Sequence, residues 1–392
     1  MKNLRKNNGI SIIKIILLIL STILVVFFAY EVSYLDIFNF KEANLNNTVD
    51  IFKNWTQDFI ENEIEQNEIN KNTSTEANLQ KNEEIVTPNI GENEEQNIEQ
   101  EVSTKRYYYK QLDNYGKIIY KGLEDNKEKM QSGNYKIDLK KKFNDLLNSE
   151  NGEKKLNTAF QSAWNAYIYD YPEIFYIDVS KLTLTTQTTS IANFSTHRVD
   201  LSSGDNENYF REDIKSKEEA IKRIEYVSNI RKQFISQLKN ATDYEKIKLV
   251  HDWLVDNLEY DTTYEGKNIH NVYGAFSNKK VVCEAYARTF KYILDGVNIE
   301  NVLVSGEGIN TSGTRESHAW NYVKIDNKWY AVDVTWDDPV IVGNGKLDTK
   351  QKYMYFLKGS ESFFKNHKED GVLSNNSIKF EFPTLEKEDY KK

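Results

Sequence analysis

Between Gly9 and Tyr30 the sequence carries only four polar side chains, Ser11, Lys14, Ser21 and Thr22. A run of about 20 apolar residues is long enough to cross a bilayer as a helix. Lys2, Arg5 and Lys6 precede it, and basic residues before a span hold that end inside and send the rest across. Lys14 lies near the cytoplasmic end, where its long stem can reach back to the headgroups. The following FFAYEVSYLD has no small-x-small cleavage pattern, and no cysteine stands there for lipidation. The expectation is an uncleaved signal anchor at 9–30, with residues 1–8 cytoplasmic. The bulk of a single-pass cell-membrane protein then lies outside, and the alternative is a cleaved signal peptide.

Residues 31–105 are dominated by Glu, Asn and Gln, as in ENEIEQNEINKNTSTEANLQ. Such a segment cannot bury enough apolar surface to fold alone, so it reads as a flexible acidic stalk. Val49, Phe52, Trp55, Phe59 and Ile60 recur at helical spacing within it and predict one short amphipathic helix. From Arg106 onward the chain becomes globular, and the 25 Tyr and 19 Phe of the whole sequence are ample for a core. The formal net charge of −9 argues against a nucleic-acid partner, which calls for a basic excess.

An α+β reading follows. YYYKQLDNYGKIIYKGLEDNKEKM predicts one helix, and GEKKLNTAFQSAWNAYIYDYP a second that stops at Pro172. IFYIDVSKLTLTTQTTS and ANFSTHRVDLSS predict a strand pair. Ser216 with Glu219, and Thr242 with Glu245, have the spacing of capping boxes that open two further helices. On the second of these, Ile247, Val250, Leu254 and Leu258 form one core-facing stripe. His251 and Asp252 on that helix read as a packed or solvated face, since no further ligand stands at metal-site spacing. His197 reads as a surface residue. Residues 106–240 form the first α+β region and 241–392 the second.

Chemistry concentrates in the second region. Cys283 is the only cysteine among 392 residues, so an intramolecular disulfide is impossible. Tyr286, Phe290, Ile293, Leu294 and Val297 follow it at helical spacing, which puts Cys283 in the first turn of a buried helix. The positive end of a helix dipole and its free N–H groups favour a thiolate and can hold an oxyanion. Downstream, SHAWNYVKIDNKWYAVDVTWDDP predicts two strands joined at Asp326 and Asn327, residue types that tolerate turn geometry. A two-residue loop there sets Ile325 opposite Lys328, Trp320 opposite Asp333 and His318 opposite Thr335. Asp333 is then a diagonal neighbour of His318 on one sheet face. An odd-length loop would put the two on opposite faces. A carboxylate beside an imidazole orients the ring and leaves its other nitrogen for Cys283. On the residues alone, a catalytic set and a structural cysteine stand side by side.

VVCEAYARTFKYIL, the hairpin above and the preceding helix ending LEYD together resemble the transglutaminase-like core, a branch of the papain-like cysteine enzymes. The resemblance covers about residues 242–340. It rests on a Cys at a helix start, a His–Ala–Trp–Asn strand and an Asp–x–Thr–Trp–Asp strand, in that order. It implies a core with the Cys-bearing helix packed on an antiparallel sheet. It also implies Cys283 as nucleophile, His318 as general base and acid, and Asp333 as the orienting carboxylate. Trp320 and Trp336 would pack around the site, with Asp337 as a supporting polar residue. Tyr273 in NVYGAF is the candidate for an upstream oxyanion donor. The sequence departs from the family in Val282 and Glu284, which flank the cysteine where family members often carry Gly.

The reaction so implied is acyl transfer or hydrolysis on an extracytoplasmic protein or peptide amide through a thioester. An amine acceptor would make it a transglutaminase-type reaction and water a peptidase or amidase reaction; both stay open. No metal or other cofactor is called for, and no calcium loop is visible. The alternative is a non-catalytic cell-surface binding module on the same fold.

Overall fold

The computed structural model describes residues 106–192, 194–310, 313–338 and 350–392. The expected anchor, the stalk and its short amphipathic helix lie outside these residues. Among the described residues, no helix is long and apolar enough to cross a membrane.

The helix expected from Tyr107 to Met130 is divided. A 3-10 turn, Tyr109–Gln111, ends in extended backbone at Leu112, and helix α1 (Asn114–Asp125) begins afresh. The Asp113 side chain starts it by accepting a hydrogen bond from the Gly116 N–H at 2.6 Å. A one-turn helix, Lys127–Met130, follows. Strand β1 (Ile137–Lys140) and helix α2 (Gly152–Asp170) come next, and α2 stops just short of Pro172 as expected. Strands β2 (Thr183–Ile191) and β3 (Phe194–Ser202) form an antiparallel hairpin in a sheet of order β1-β3-β2. The first of these strands starts later than the sequence suggests. Ile174, Phe175, Tyr176 and Ile177 are buried ahead of a 3-10 turn at Val179–Lys181, and only then does the ladder begin.

Helix α3 (Lys217–Leu238) is capped by Ser216, whose Oγ accepts from the Glu219 N–H. The reciprocal half of the expected box is displaced by one residue, because the Glu219 carboxylate accepts from the Lys215 N–H at 2.8 Å. The Thr242–Glu245 box ahead of helix α4 (Asp243–Asn257) is complete. Ile247, Val250, Leu254 and Leu258 on or just after α4 are all buried. A short helix α5 (Val272–Ser277) precedes α6 (Cys283–Gly296). Tyr286, Phe290, Ile293 and Leu294 of α6 are fully buried, so this helix is seated in the core by the predicted stripe.

The second sheet is antiparallel, of order β6-β5-β4-β7. Its strands are β4 (Asn301–Ile309), β5 (Arg315–Ile325), β6 (Lys328–Val332) and β7 (His367–Glu369). Asp326 and Asn327 have φ of 50° and 60°, the doubly left-handed loop that matches strand twist. The register runs from Ile325↔Lys328 to Asn321↔Val332, as the two-residue loop requires. Pairing ends there, so the expected opposition of His318 and Thr335 is not realised as a ladder. The chain turns instead. The Asp333 carbonyl accepts from the Asp337 N–H, and its Oδ1 accepts from the Trp336 N–H, both at 3.2 Å.

The described parts are mixed α+β, and the first region is tied to the second by several bonds. Arg288 of α6 donates to the Ile168 carbonyl of α2 at 2.7 Å. Tyr108 donates to the Leu303 carbonyl of β4. Asn165 of α2 donates to Ser374 Oγ at 2.8 Å.

Candidate active site

Cys283 is the first residue of α6. Val282 before it is buried and in ordinary extended backbone, φ −103° and ψ 174°, so valine is at ease at this N-cap. The first N–H groups of a helix have no partner within it, and the half-buried thiol stands on that first turn. Cys283 and Tyr169 both pack against the cluster of Ala287, Leu303 and Ala319. Glu284 turns to Arg288 Nη2 at 2.8 Å and His270 Nδ1 at 3.2 Å. Burial would lift its carboxyl, but those two charges outweigh burial and hold it at about 2.

His318 is brought to the thiol by β5, next to Ala319. Asn321 on the same strand donates from Nδ2 to the Ala287 carbonyl of α6 at 3.0 Å, which docks the cysteine helix on the sheet. His318 Nε2 lies 2.7 Å from Asp333 Oδ2, with both side chains buried. Cys283 is near enough to the same imidazole to help raise its pKa. With Nε2 held by Asp333, Nδ1 is the nitrogen left for sulfur. Burial disfavours charge on the ring, yet Asp333 and Cys283 outweigh it and hold the His318 pKa at about 10. Burial likewise would raise Asp333. The charge and hydrogen bond of His318, with those of His367, hold that carboxyl well below its ordinary range.

The walls of the site are aromatic. Trp336 stacks on the His318 ring at 5.0 Å, and the buried Trp320 lies 5.9 Å from it. Two glycines of β4 make room for these indoles. A Cβ on Gly308 would meet Trp336 at 2.7 Å, and one on Gly306 would meet Trp320 at 2.6 Å and the Lys368 carbonyl at 2.1 Å. The site is thus an imidazole–carboxylate pair in a dry aromatic slot, open on one nitrogen to a thiol at a helix start. Residues 231–334 match the Transglutaminase-like superfamily.

This segment is a transglutaminase-like domain. Mouse (Mus musculus) kyphoscoliosis peptidase is 26% identical over 137 residues, 32% of this chain and 20% of the relative. The human (Homo sapiens) protein of the same name matches over the same extent at the same identity. The chain thus spans about a fifth of the length of these curated relatives. Among solved structures, a TGase is 14% identical with a TM-score of 0.27, covering 45% of this chain and 50% of that one. The periplasmic domain of TgpA from Pseudomonas aeruginosa is 15% identical with a TM-score of 0.23, covering 40% and 63%.

The structure brings together Cys283, His318, Asp333 and Trp320 of this segment and Trp336 just after it. Asp337 and Tyr273 have other partners. Asp337 Oδ2 meets His251 Nε2 at 3.0 Å, and its Oδ1 accepts from the Tyr355 N–H at 2.7 Å. The Tyr273 ring stacks on Phe175 at 5.6 Å and lies under the Arg223 guanidinium. One residue of the site escapes sequence reasoning altogether. His367 of β7 places Nε2 3.0 Å from the same Asp333 Oδ2 that meets His318. The scarcity of histidine, five in the chain, was the available signal, since each buried histidine calls for a partner. His318, Asp333 and His367 bring three ligand atoms within 4.8 Å of one another, close enough to hold a metal ion. Their N–O separations of 2.7 and 3.0 Å are those of hydrogen bonds.

Proposed function

We propose that this chain is a membrane-anchored, extracytoplasmic cysteine enzyme that opens protein or peptide amides through a thioester. The observation that carries the proposal is the run Asp333–His318–Cys283, with the carboxylate on one ring nitrogen and the thiol at a helix start beside the ring. The Cys283 sulfur, as thiolate, attacks the amide carbonyl carbon. Helix-start N–H groups stabilise the oxyanion. The C–N bond breaks as His318 passes its proton to the leaving amine, and the acyl group stays on sulfur. A second nucleophile then gives a proton to His318, attacks the thioester carbonyl and releases Cys283. Asp333 keeps the ring oriented and stabilises its charge throughout. With water as that nucleophile the product is a carboxylate, and with an amine it is a new amide. The word peptidase in the names of the mouse and human relatives puts hydrolysis first among products to seek.

The test uses cell envelopes carrying the full-length chain or Cys283→Ala, with and without an added primary amine. The proposal expects peptide cleavage, or amine incorporated into envelope protein, that Cys283→Ala abolishes. Products identical in the two would favour a binding module.

A further inference from the structure

The Asp333 carboxylate has three hydrogen bonds, and only one of them belongs to the reaction proposed above. Oδ1 accepts from the Trp336 N–H at 3.2 Å, and Oδ2 accepts from His318 at 2.7 Å and from His367 at 3.0 Å. His367 is itself fixed from several directions. Its Nδ1 lies 2.9 Å from Asn366 Oδ1, and its ring stacks on Phe363 at 4.0 Å and 15°. Trp336 lies 4.4 Å from it, and Trp320 meets it edge-on at 5.1 Å. Sheet register explains how the two histidines meet. Gly306 of β4 pairs with His318 of β5, and Gly308 of β4 pairs with His367 of β7. Gly306 and Gly308 are two apart, so both histidines project from one sheet face across the same strand.

We infer that His367 is a positioning residue for the reaction: it anchors Asp333 Oδ2 so that His318 meets a carboxylate already oriented. The inference rests on the acyl-transfer reading above. A carboxylate held at Oδ1 alone can tilt about its side-chain torsion and carry Oδ2 away from His318. The second imidazole removes that freedom. Asp333 is fully buried, so solvent is not at hand to replace a lost donor. When His318 yields its proton to the leaving amine, the His367 bond keeps Asp333 partnered and in place.

The experiment measures the rate at which iodoacetamide alkylates Cys283 in the full-length chain. The variants are His367→Phe, His367→Gln and His318→Ala, each with its thermal midpoint. Phe preserves the stack on Phe363 and loses the donor, whereas Gln restores an N–H donor and loses the ring. Positioning predicts that Phe slows alkylation about tenfold while Gln stays within about twofold of wild type, the scale of one charge-assisted hydrogen bond. A packing role predicts the reverse order, and a Phe variant as fast as wild type overturns the inference. Should Phe fail to fold, Gln against Met carries the same comparison of donor with no donor. His318→Ala separates the two claims. If it leaves the rate unchanged, the acyl-transfer reading falls; if it slows the rate while Phe does not, only the role of His367 falls.

Discussion

His251 Nε2 lies 3.0 Å from Asp337 Oδ2, and neither side chain is exposed. A second histidine–carboxylate pair thus stands behind the first, joining α4 to the turn that carries Asp333. Its other nitrogen meets Asp252 Oδ1 at 3.1 Å. Burial opposes charge on His251, but bonds from the two carboxylates outweigh it and raise its pKa. Burial dominates at Asp337 and lifts its pKa to about 6. Removing one member of such a pair strands the other in a dry interior. His251→Leu is expected to lower unfolding free energy by about 3–5 kcal/mol, read from a urea transition. The double variant His251→Leu/Asp337→Leu should regain part of that loss, because neither member of the pair is left facing an apolar partner; the Tyr355 N–H, which loses its Asp337 acceptor, keeps the recovery incomplete.

The charge on His318 makes stability depend on pH in a stated direction. Its folded pKa of about 10 stands above the ordinary 6.5. Its proton therefore stabilises the fold fully below pH 6.5, and that contribution is lost as pH rises toward 10. Thermal midpoints of wild type and His318→Gln should differ most at the lower end of this window and converge toward the upper end. A gap constant across it would assign the difference to packing.

Gly306 is required by crowding. A methyl group there would sit 2.1 Å from the Lys368 carbonyl and 2.6 Å from Trp320. Backbone and a buried indole have little room to yield. Gly306→Ala is expected to cost about 1–3 kcal/mol, and it should also slow alkylation of Cys283 by displacing β7. Gly313→Ala, with nothing within 4 Å of the added carbon, is the control for crowding, although its positive φ adds strain of its own.

How much of this was legible depended on the range of the forces involved. The start of α6 at Cys283 and the complete box at Thr242 are set by residues within a few positions of each other. The Asp326–Asn327 loop is equally local, and through it the hairpin register followed from the sequence. The same reasoning overran where a side chain reached back to its own backbone. Asp333 ends β6 by accepting from the Trp336 N–H, and Asp113 splits the predicted first helix by capping a new one.

The pairing of acids with histidines was a different kind of question. Asp333 and Asp337 stand four residues apart in one short stretch; the hairpin register selected Asp333 for His318 but gave Asp337 no histidine. The turn after Val332 sends Asp333 to His318 and Asp337 to His251. His367 was beyond local rules for the same reason. It lies on a three-residue strand whose place beside β4 depends on the rest of the fold. The sequence by itself determined the helix that presents the thiol and the register that brings an imidazole within reach of a carboxylate. Only the tertiary structure decided that Asp337 serves His251 and that Asp333 serves a second ring, His367. Those bonds join residues distant in the chain, and they form only once the sheet and the aromatic walls have closed around them.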